Sequence, residues 1–532
     1  MIIRTFSDPV LRRVASPIRR LGADASRLAA RMVKTMRAHR GVGLAAPQVG
    51  VSRRLIIVDT GEGLRVLVNP KITRATGAAV DWEGCLSFPG LLAEVERAQT
   101  VGVEGLGLDG RPAWIEAEDF LARVLQHELD HLDGVVILDR ARSVERVEPS
   151  ATSEAEPTGL GGPPGPGRTG AEWAEAGGAV DAGGAVDAVD AVGAGDAGDP
   201  GTSHPLRVAF LGTPGFACPT LESLVAAGHA VVGVATQPDR PVGRGGHLIR
   251  ASAVKQTAQA FGLPVWQGSS SEAKASLAKV LAGWRAEVAV VVAYGVILPE
   301  PVLAAPRLGC LNLHASLLPD YRGAAPVQRA ILDGRSVTGV TMIKMDAGVD
   351  TGDILAQREV PIGPDDTGGT LHDKLATVGA ELVLHTLELL GTGTVAPRPQ
   401  PSGPSAPAPR LGPEDEIVDW RRPAAEIERQ VRALLPAPGA YTLLGERRVK
   451  ILRAAMVRAP GARGAAGKLD QPAKLGGPGT VVGFDGGSPV VATGKGLLAL
   501  RLVQPAGGTR LSGPDFVNGY RLAAGDRFGD RP

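Results

Sequence analysis

Two histidines four residues apart, His127 and His131, fall together with a carboxylate in the run Gln126-His127-Glu128-Leu129-Asp130-His131. On a helix this spacing puts both imidazoles on one face, where they can reach a single metal ion while Glu128 projects beside it. Glu83-Gly84-Cys85-Leu86-Ser87 supplies one of only three cysteines in the chain. A Cys-His-His set leaves the fourth tetrahedral position for water, as a hydrolytic centre requires and a structural one does not. A third stretch, Gly41-Val42-Gly43-Leu44-Ala45-Ala46-Pro47-Gln48, reads as a glycine turn after a helix.

A second constellation lies far downstream. It comprises Asn312-Leu313-His314-Ala315-Ser316-Leu317-Leu318-Pro319, then Arg322-Gly323-Ala324-Ala325-Pro326, then Met345-Asp346-Ala347-Gly348-Val349-Asp350-Thr351-Gly352-Asp353. Singly these residues have ordinary uses, such as an amide capping a turn, a satisfied histidine or an aspartate in a tight loop.

The elements that must position these groups are legible in outline. A length of 532 residues suggests three or four domains, and the net charge of +1 leaves any polyanion site to be local. The first residues lack the apolar run of a signal peptide, and no stretch of about 18 uninterrupted apolar residues occurs. With three cysteines, one of them assigned to a metal, a disulfide framework is not expected and the cytoplasm is the expected compartment. Residues 1–145 mix short β-rich runs such as Arg54-Leu55-Ile56-Ile57-Val58 with an early helix and a late one, an α+β order. Residues 146–204 are rich in Ala, Gly, Asp and Pro, with Gly-Gly-Ala-Val-Asp-Ala at 177–182 and again at 183–188. Between 150 and 203 a single basic residue, Arg168, stands against nine acidic ones, so this segment is read as a disordered, self-repelling linker.

Residues 205–391 open on the apolar strand Leu206 to Leu211 and a glycine turn, and strand-like runs recur at Ala230–Val234 and Glu287–Ala293. Strands separated by helical lengths predict a doubly wound, Rossmann-like α/β sheet. A dinucleotide reading fails on Gly212-x-x-Gly215, which lacks the full glycine fingerprint. Residues 392–411 include Pro397-Arg398-Pro399-Gln400-Pro401, a semi-rigid linker. Residues 412–532 contain strand-like runs at Gly479–Val482 and Leu497–Leu502, compatible with a small OB-like β-barrel. From Arg410 onward there are 19 Lys/Arg against 12 Asp/Glu, a modest footprint for phosphate binding. A Gly/Ala stretch at 459–467 lengthens a loop.

The first three motifs, in this order, resemble the three signatures of the peptide deformylase family, with Asp8–Arg12 and Val68-Asn69-Pro70 matching as well. The resemblance implies a metal held by Cys85, His127 and His131, physiologically Fe(II), although the donor set alone does not separate iron from zinc, nickel or cobalt. It also implies Glu128 as the proton carrier, with Gln48 and the Leu86 backbone N–H supporting the tetrahedral oxyanion. The second constellation resembles the formyltransferases that use 10-formyltetrahydrofolate. Gly212-Thr213-Pro214, Gln237–Pro241, Ala293-Tyr294-Gly295 and the Arg322 run narrow this to the methionyl-tRNA formyltransferase family. Asn312 and a protonated His314 suit an oxyanion, and Asp350 can favour charged His314 and accept the amine proton. The resemblance places the folate against Ser316, Leu317, Leu318 and Pro319. It places Arg244 of Gly243–Leu248 on tRNA, although Gly246 and His247 depart from the lysine-rich family loop.

These expectations describe a bifunctional enzyme. One part would act on N-formylmethionyl peptides near the ribosome and the other on initiator methionyl-tRNA, with neither membrane nor DNA as partner. Two other readings stay open: a different amine acceptor, such as a nucleotide sugar or glycinamide ribonucleotide, and an RNA-binding protein with a decayed catalytic region.

Overall fold

The computed structural model describes residues 1–6, 8–146, 206–242, 248–403, 405–457 and 476–529. The expected linker, the tip carrying Arg244 and the Gly/Ala stretch at 459–467 lie outside the described residues.

The amino-terminal part is α+β, as expected. Helix α1 (Ala23–Ala38) precedes β1 (Gly43–Ala45), β2 (Leu55–Val58), β3 (Arg65–Thr76), β4 (Ala79–Gly84), β5 (Leu91–Arg97), β6 (Thr100–Leu106) and β7 (Pro112–Glu118). Helix α2 (Asp119–Leu132) and β8 (Ala141–Arg146) follow. Two antiparallel sheets form, in the orders β1-β2-β3-β6-β7 and β4-β5-β8. The run Leu55-Ile56-Ile57-Val58 is buried throughout: Ile56 and Val58 belong to the apolar cluster that includes Leu125 and Leu129 of α2, and Leu55 and Ile57 to the cluster that includes Met32 and Met36 of α1. A strand flanked on both sides by apolar clusters needs an unbroken hydrophobic run rather than alternation.

The middle part is built on β9 (Arg207–Gly212), α3 (Cys218–Ala227), β10 (Ala230–Thr236), α4 (Ala253–Ala260), β11 (Val265–Gln267), β12 (Val288–Val292) and β13 (Cys310–His314), completed by β14 (Val337–Lys344), β15 (Asp353–Pro361) and α5 (Gly368–Gly391). The strand order is β11-β10-β9-β12-β13-β14-β15. The central strand has Val208 and Phe210 in one apolar cluster and Ala209 and Leu211 in another, as layers on both sheet faces require. The first five strands in this order are parallel; β14 runs against them, and β15, antiparallel to β14, returns to their direction. Only Met345–Gly352 joins β14 to β15, too short a connection for a parallel crossover, so a mixed sheet results.

The carboxyl-terminal part comprises α6 (Ala424–Ala433), β16 (Tyr441–Leu444), β17 (Arg447–Val457), β18 (Val481–Asp485), β19 (Ser488–Ala492), β20 (Leu497–Pro505), a short strand at Leu511–Ser512, and α7 (Gly513–Tyr520). Its antiparallel ladder runs β16-β17-β20-β19-β18, with the short strand on β20. Among the described residues these strands form an open ladder, which does not by itself establish the small OB-like barrel expected. Its two edges are spanned by the terminal segment, where Gly525 N–H donates to Val481 and Gly529 N–H to Leu443.

Candidate functional site

Helix α2 delivers His127 and His131 from one face, and the turn after β4 delivers Cys85. Their three ligand atoms lie within 4.8 Å of one another, and all three residues are buried. Cys85 Sγ is 3.2 Å from His131 Nε2. Atoms this close, soft and inward-facing fit a tetrahedral transition-metal ion with an open position. His131 Nδ1 is buried without a partner, and burial holds its ring well below the ordinary imidazole range, in the neutral form that a ligand needs. For His127 burial works downward too, but Cys85 and Glu83 outweigh it and draw a proton to this point. The same surroundings would attract a cation.

Glu83 is the residue whose role the motif did not reveal. Its Oε2 accepts from His127 Nδ1 at 2.9 Å, which turns Nε2 toward the site. Arg97 Nε and Arg123 Nη1 each donate to Oε1 at 2.8 Å. Burial alone would raise this carboxyl, but the His127 and Arg97 hydrogen bonds prevail and bring it down to about 2. Asp130, inside the histidine motif, holds Arg97 in place by accepting from it and from Arg140.

Glu128 has the opposite environment. It is buried, its Oε2 has no partner, and burial pushes it up to about 7. It fits only because position 43 lacks a side chain: a Cβ on Gly43 would lie 2.3 Å from Glu128 Oε1. Gln48 is oriented by Ala45 N–H, which donates to its Oε1 at 2.8 Å. Its amide Nε2 thus faces Cys85 Sγ at 3.5 Å and Ser87 Oγ at 3.4 Å. Leu86 occupies the adjoining turn, closed by Phe88 N–H to the Cys85 carbonyl at 2.9 Å.

The second site sits at the carboxyl ends of β9, β12 and β13, beside the point where the strand order reverses, where open α/β sheets place their ligands. Asn312 Nδ2 donates to Asp350 Oδ1 at 3.2 Å, and His314 Nδ1 stands 3.5 Å from Asp350 Oδ2. Gly323 N–H donates to that same Oδ2 at 3.0 Å, and His314 Nε2 faces the Tyr321 carbonyl at 2.9 Å. Both imidazole nitrogens therefore face acceptors, which suits the doubly protonated ring. Asp350 adopts φ +54°, an uncommon left-handed conformation that Asp tolerates better than most residues.

The proline-rich stretch reaches into this site. Arg398 pairs with Ile354 of β15, and Gln400 Nε2 donates to the carbonyls of Asp350 and Gly352, both at 2.8 Å. Gln400 Oε1 accepts from Arg322 Nε at 3.0 Å. Nothing in the sequence marked Gln400, because two of its partners are backbone carbonyls set by the fold and the third, Arg322, lies 78 residues away. Thr213, Gln237 and Tyr294 also converge: Thr213 Oγ1 and Gln237 Nε2 both donate to the Tyr294 carbonyl. Ser316 and Leu318 are buried in their own loop. Ser316 Oγ donates to the Asp320 carbonyl at 2.6 Å and Leu318 N–H to Thr341 Oγ1 at 3.1 Å, while Leu317 and Pro319 stay partly exposed.

Comparison with known proteins covers both sites. Residues 1–147 match the family model described as polypeptide deformylase. Residues 206–387 match formyl transferase, and 410–521 match the formyl transferase C-terminal domain. Over 324 residues, the chain is 49% identical to the methionyl-tRNA formyltransferase of Thiobacillus denitrificans, covering 61% of this chain and 100% of that one. It is 47% identical over 331 residues to the methionyl-tRNA formyltransferase of Symbiobacterium thermophilum, covering 61% and 95%. Among solved structures, peptide deformylase from Thermotoga maritima is 43% identical, with 27% of this chain and 97% of that chain covered and a TM-score of 0.26.

Proposed function

Since the chain belongs, from residue 206 onward, to the methionyl-tRNA formyltransferase family and carries a polypeptide deformylase module ahead of it, we propose that one polypeptide performs two opposed reactions. It removes formyl from N-formylmethionyl peptides and transfers formyl from 10-formyltetrahydrofolate to the amino group of initiator methionyl-tRNA. The observation that carries this reading is that both polar constellations are complete: Cys85, His127 and His131 around one point with Glu128 beside them, and Asn312, His314 and Asp350 in mutual contact.

In the first reaction, Cys85, His127 and His131 would hold the metal, which would supply Lewis-acid activation of water and carbonyl. Glu128 accepts the water's proton and returns it to the leaving amine, a task suited to a carboxyl raised to about 7. The Gln48 amide and the Leu86 N–H receive the developing oxyanion. The second reaction breaks a formyl C–N bond on folate and forms one on the methionyl amine. Asn312 and His314 support the oxyanion between these events. Asp350 orients both and takes the amine proton, which returns to the folate nitrogen. Ser316 to Pro319 form the loop against which the folate lies.

We read residues 1–145, 205–391 and 412–532 as the three modules and the last as an OB-like tRNA-binding domain. Its support is the terminal segment bridging the sheet edges and the excess of basic residues. Arg244 is the proposed acceptor-stem contact. Among the described residues no helix is long and apolar enough to cross a membrane. The three cysteines are free and buried, as a reducing cytoplasm permits.

The test uses one anaerobically purified chain in two assays: formyl release from a formyl-Met peptide, and folate-dependent formylation of initiator Met-tRNA. Both activities are expected, with formyl-Met-tRNA itself a far poorer deformylation substrate than the peptide. Absence of either activity overturns the bifunctional reading, and glycinamide ribonucleotide accepting formyl in place of Met-tRNA would change the acceptor.

A further inference from the structure

The two catalytic modules touch, and the contact is built like a core. Helix α1 packs along α3, and one apolar cluster runs without a break from Met32 and Met36 of α1, with Leu108, to Leu221 and Leu224 of α3. At its edge lies a charged triad. Arg37 Nη2 donates to Asp59 Oδ2 at 3.2 Å within the first module, and Arg37 Nη1 pairs with Glu222 of α3 across the boundary. The Glu222 side chain is only 4% exposed, and its one ion-pair partner among the described residues, Arg37, sits in the other module. Burial pushes this carboxyl up to about 7 against the pull of Arg37, a cost that separation of the modules would relieve only by exposing the apolar cluster.

Three glycines tighten the same boundary. A Cβ on Gly262 would fall 2.9 Å from the Asp109 backbone nitrogen, and one on Gly63 would fall 2.7 Å from Gln256 Oε1 of α4. One on Gly228 would meet the Arg27 side chain at 3.6 Å. At Gly262 the backbone of one module thus approaches that of the other as closely as within a single domain, while Gly63 and Gly228 meet side chains across the boundary.

We propose that the two modules form a persistent docked unit through α1 on α3, fastened by Arg37 between Asp59 and Glu222. The partner that fits the α1 face of the deformylase module is the formyltransferase module of the same chain. Docking does not require either activity. It does join elements that lead into both sites: α1 runs directly into Gly41–Gln48, and α3 follows the turn Gly212-Thr213-Pro214.

The experiment introduces a protease site between residues 150 and 203 of the full chain, cleaves after purification, and follows the fragments by sedimentation at micromolar concentration. Cleaved wild-type fragments are expected to move as one species. Arg37→Glu and, from the other side, Glu222→Arg are each expected to weaken association by about a hundredfold, so that the fragments separate. Thermal unfolding of each uncleaved variant shows that its modules remain folded. Separation of the wild-type fragments overturns the proposal, as does continued co-migration of both variants. The wild-type arm depends on no substitution.

Discussion

Glu128 and Glu83 sit within one site, yet their surroundings push them in opposite directions. Glu83 faces two guanidinium groups and an imidazole, and it is held ionised at about 2. Among the described residues Glu128 has no hydrogen-bond donor at Oε2, and burial raises it to about 7. The first therefore serves as a fixed charge and the second as a proton carrier. Replacing Glu83 by Gln weakens the orientation of His127 and leaves Arg97 and Arg123 poorly neutralised. Metal affinity is expected to fall by about 10–100-fold, read by chelator competition, with formylation of tRNA unaffected. Gly43→Ala acts differently, because the added methyl would occupy the place of Glu128 Oε1. The metal is expected to remain bound while kcat for peptide deformylation falls by about 10²-fold. Unchanged kcat in Gly43→Ala would show that Glu128 does not need its present position.

At the scale of elements, the sites depend on segments that carry no chemistry themselves. Gln400 ties the proline-rich stretch to the carbonyls on either side of Thr351, next to Asp350. Gln400→Ala frees that loop, and formylation kcat is expected to drop at least about tenfold with deformylation intact. Helix α5 shows an electrostatic cap at its start. Asp366 accepts from Gly363 N–H at 2.7 Å, from Thr370 Oγ1 at 2.9 Å and from Lys374 Nζ at 2.8 Å. Burial would raise Asp366, but Lys374 and the Gly363 N–H outweigh it and depress the carboxyl. A depressed carboxyl contributes stability above its unfolded pKa and loses it as pH falls through the lower folded value. Asp366→Asn should therefore cost about 1 kcal/mol at neutral pH, with the gap in Tm closing in acid. A gap independent of pH would assign the loss to packing instead.

These elements also mark what the sequence could and could not disclose. The histidines and Glu128 were legible because one helix carries all three within five residues, so local spacing encodes their geometry. The β9 core strand was legible for the same reason, as an unbroken apolar run. Glu83 lay in plain view in its motif, but Arg97 of β5 and Arg123 and His127 of α2 reach it through the tertiary fold, a proximity that spacing around residue 83 does not encode. Gln400 was hidden within what reads as a spacer, because its ties run to two backbone carbonyls that carry no residue-specific signal and to Arg322, distant in sequence. The antiparallel edge of the middle sheet follows from one short connection that the apolar pattern does not distinguish from a turn inside a crossover.

As a whole molecule, the chain joins two modules whose reactions work against each other on the same one-carbon unit. Each site draws its groups from its own module: Cys85, His127, His131 and Glu128 lie before residue 147, and Asn312, His314 and Asp350 after residue 206. Docking along α1 and α3 holds the modules together without merging their chemistry. Nothing in either constellation borrows a side chain from the other, so the activities should be separable by single substitutions in the intact chain. The decisive measurement is a cross of two substitutions with two assays on full-length protein: Glu128→Ala and Asp350→Ala, each tested for peptide deformylation and for tRNA formylation. Glu128→Ala is predicted to lower deformylation by about 10²–10⁴-fold and leave formylation at the wild-type rate, and Asp350→Ala to do the reverse. A substitution that damages both reactions equally would contradict the assignment of two independent active sites.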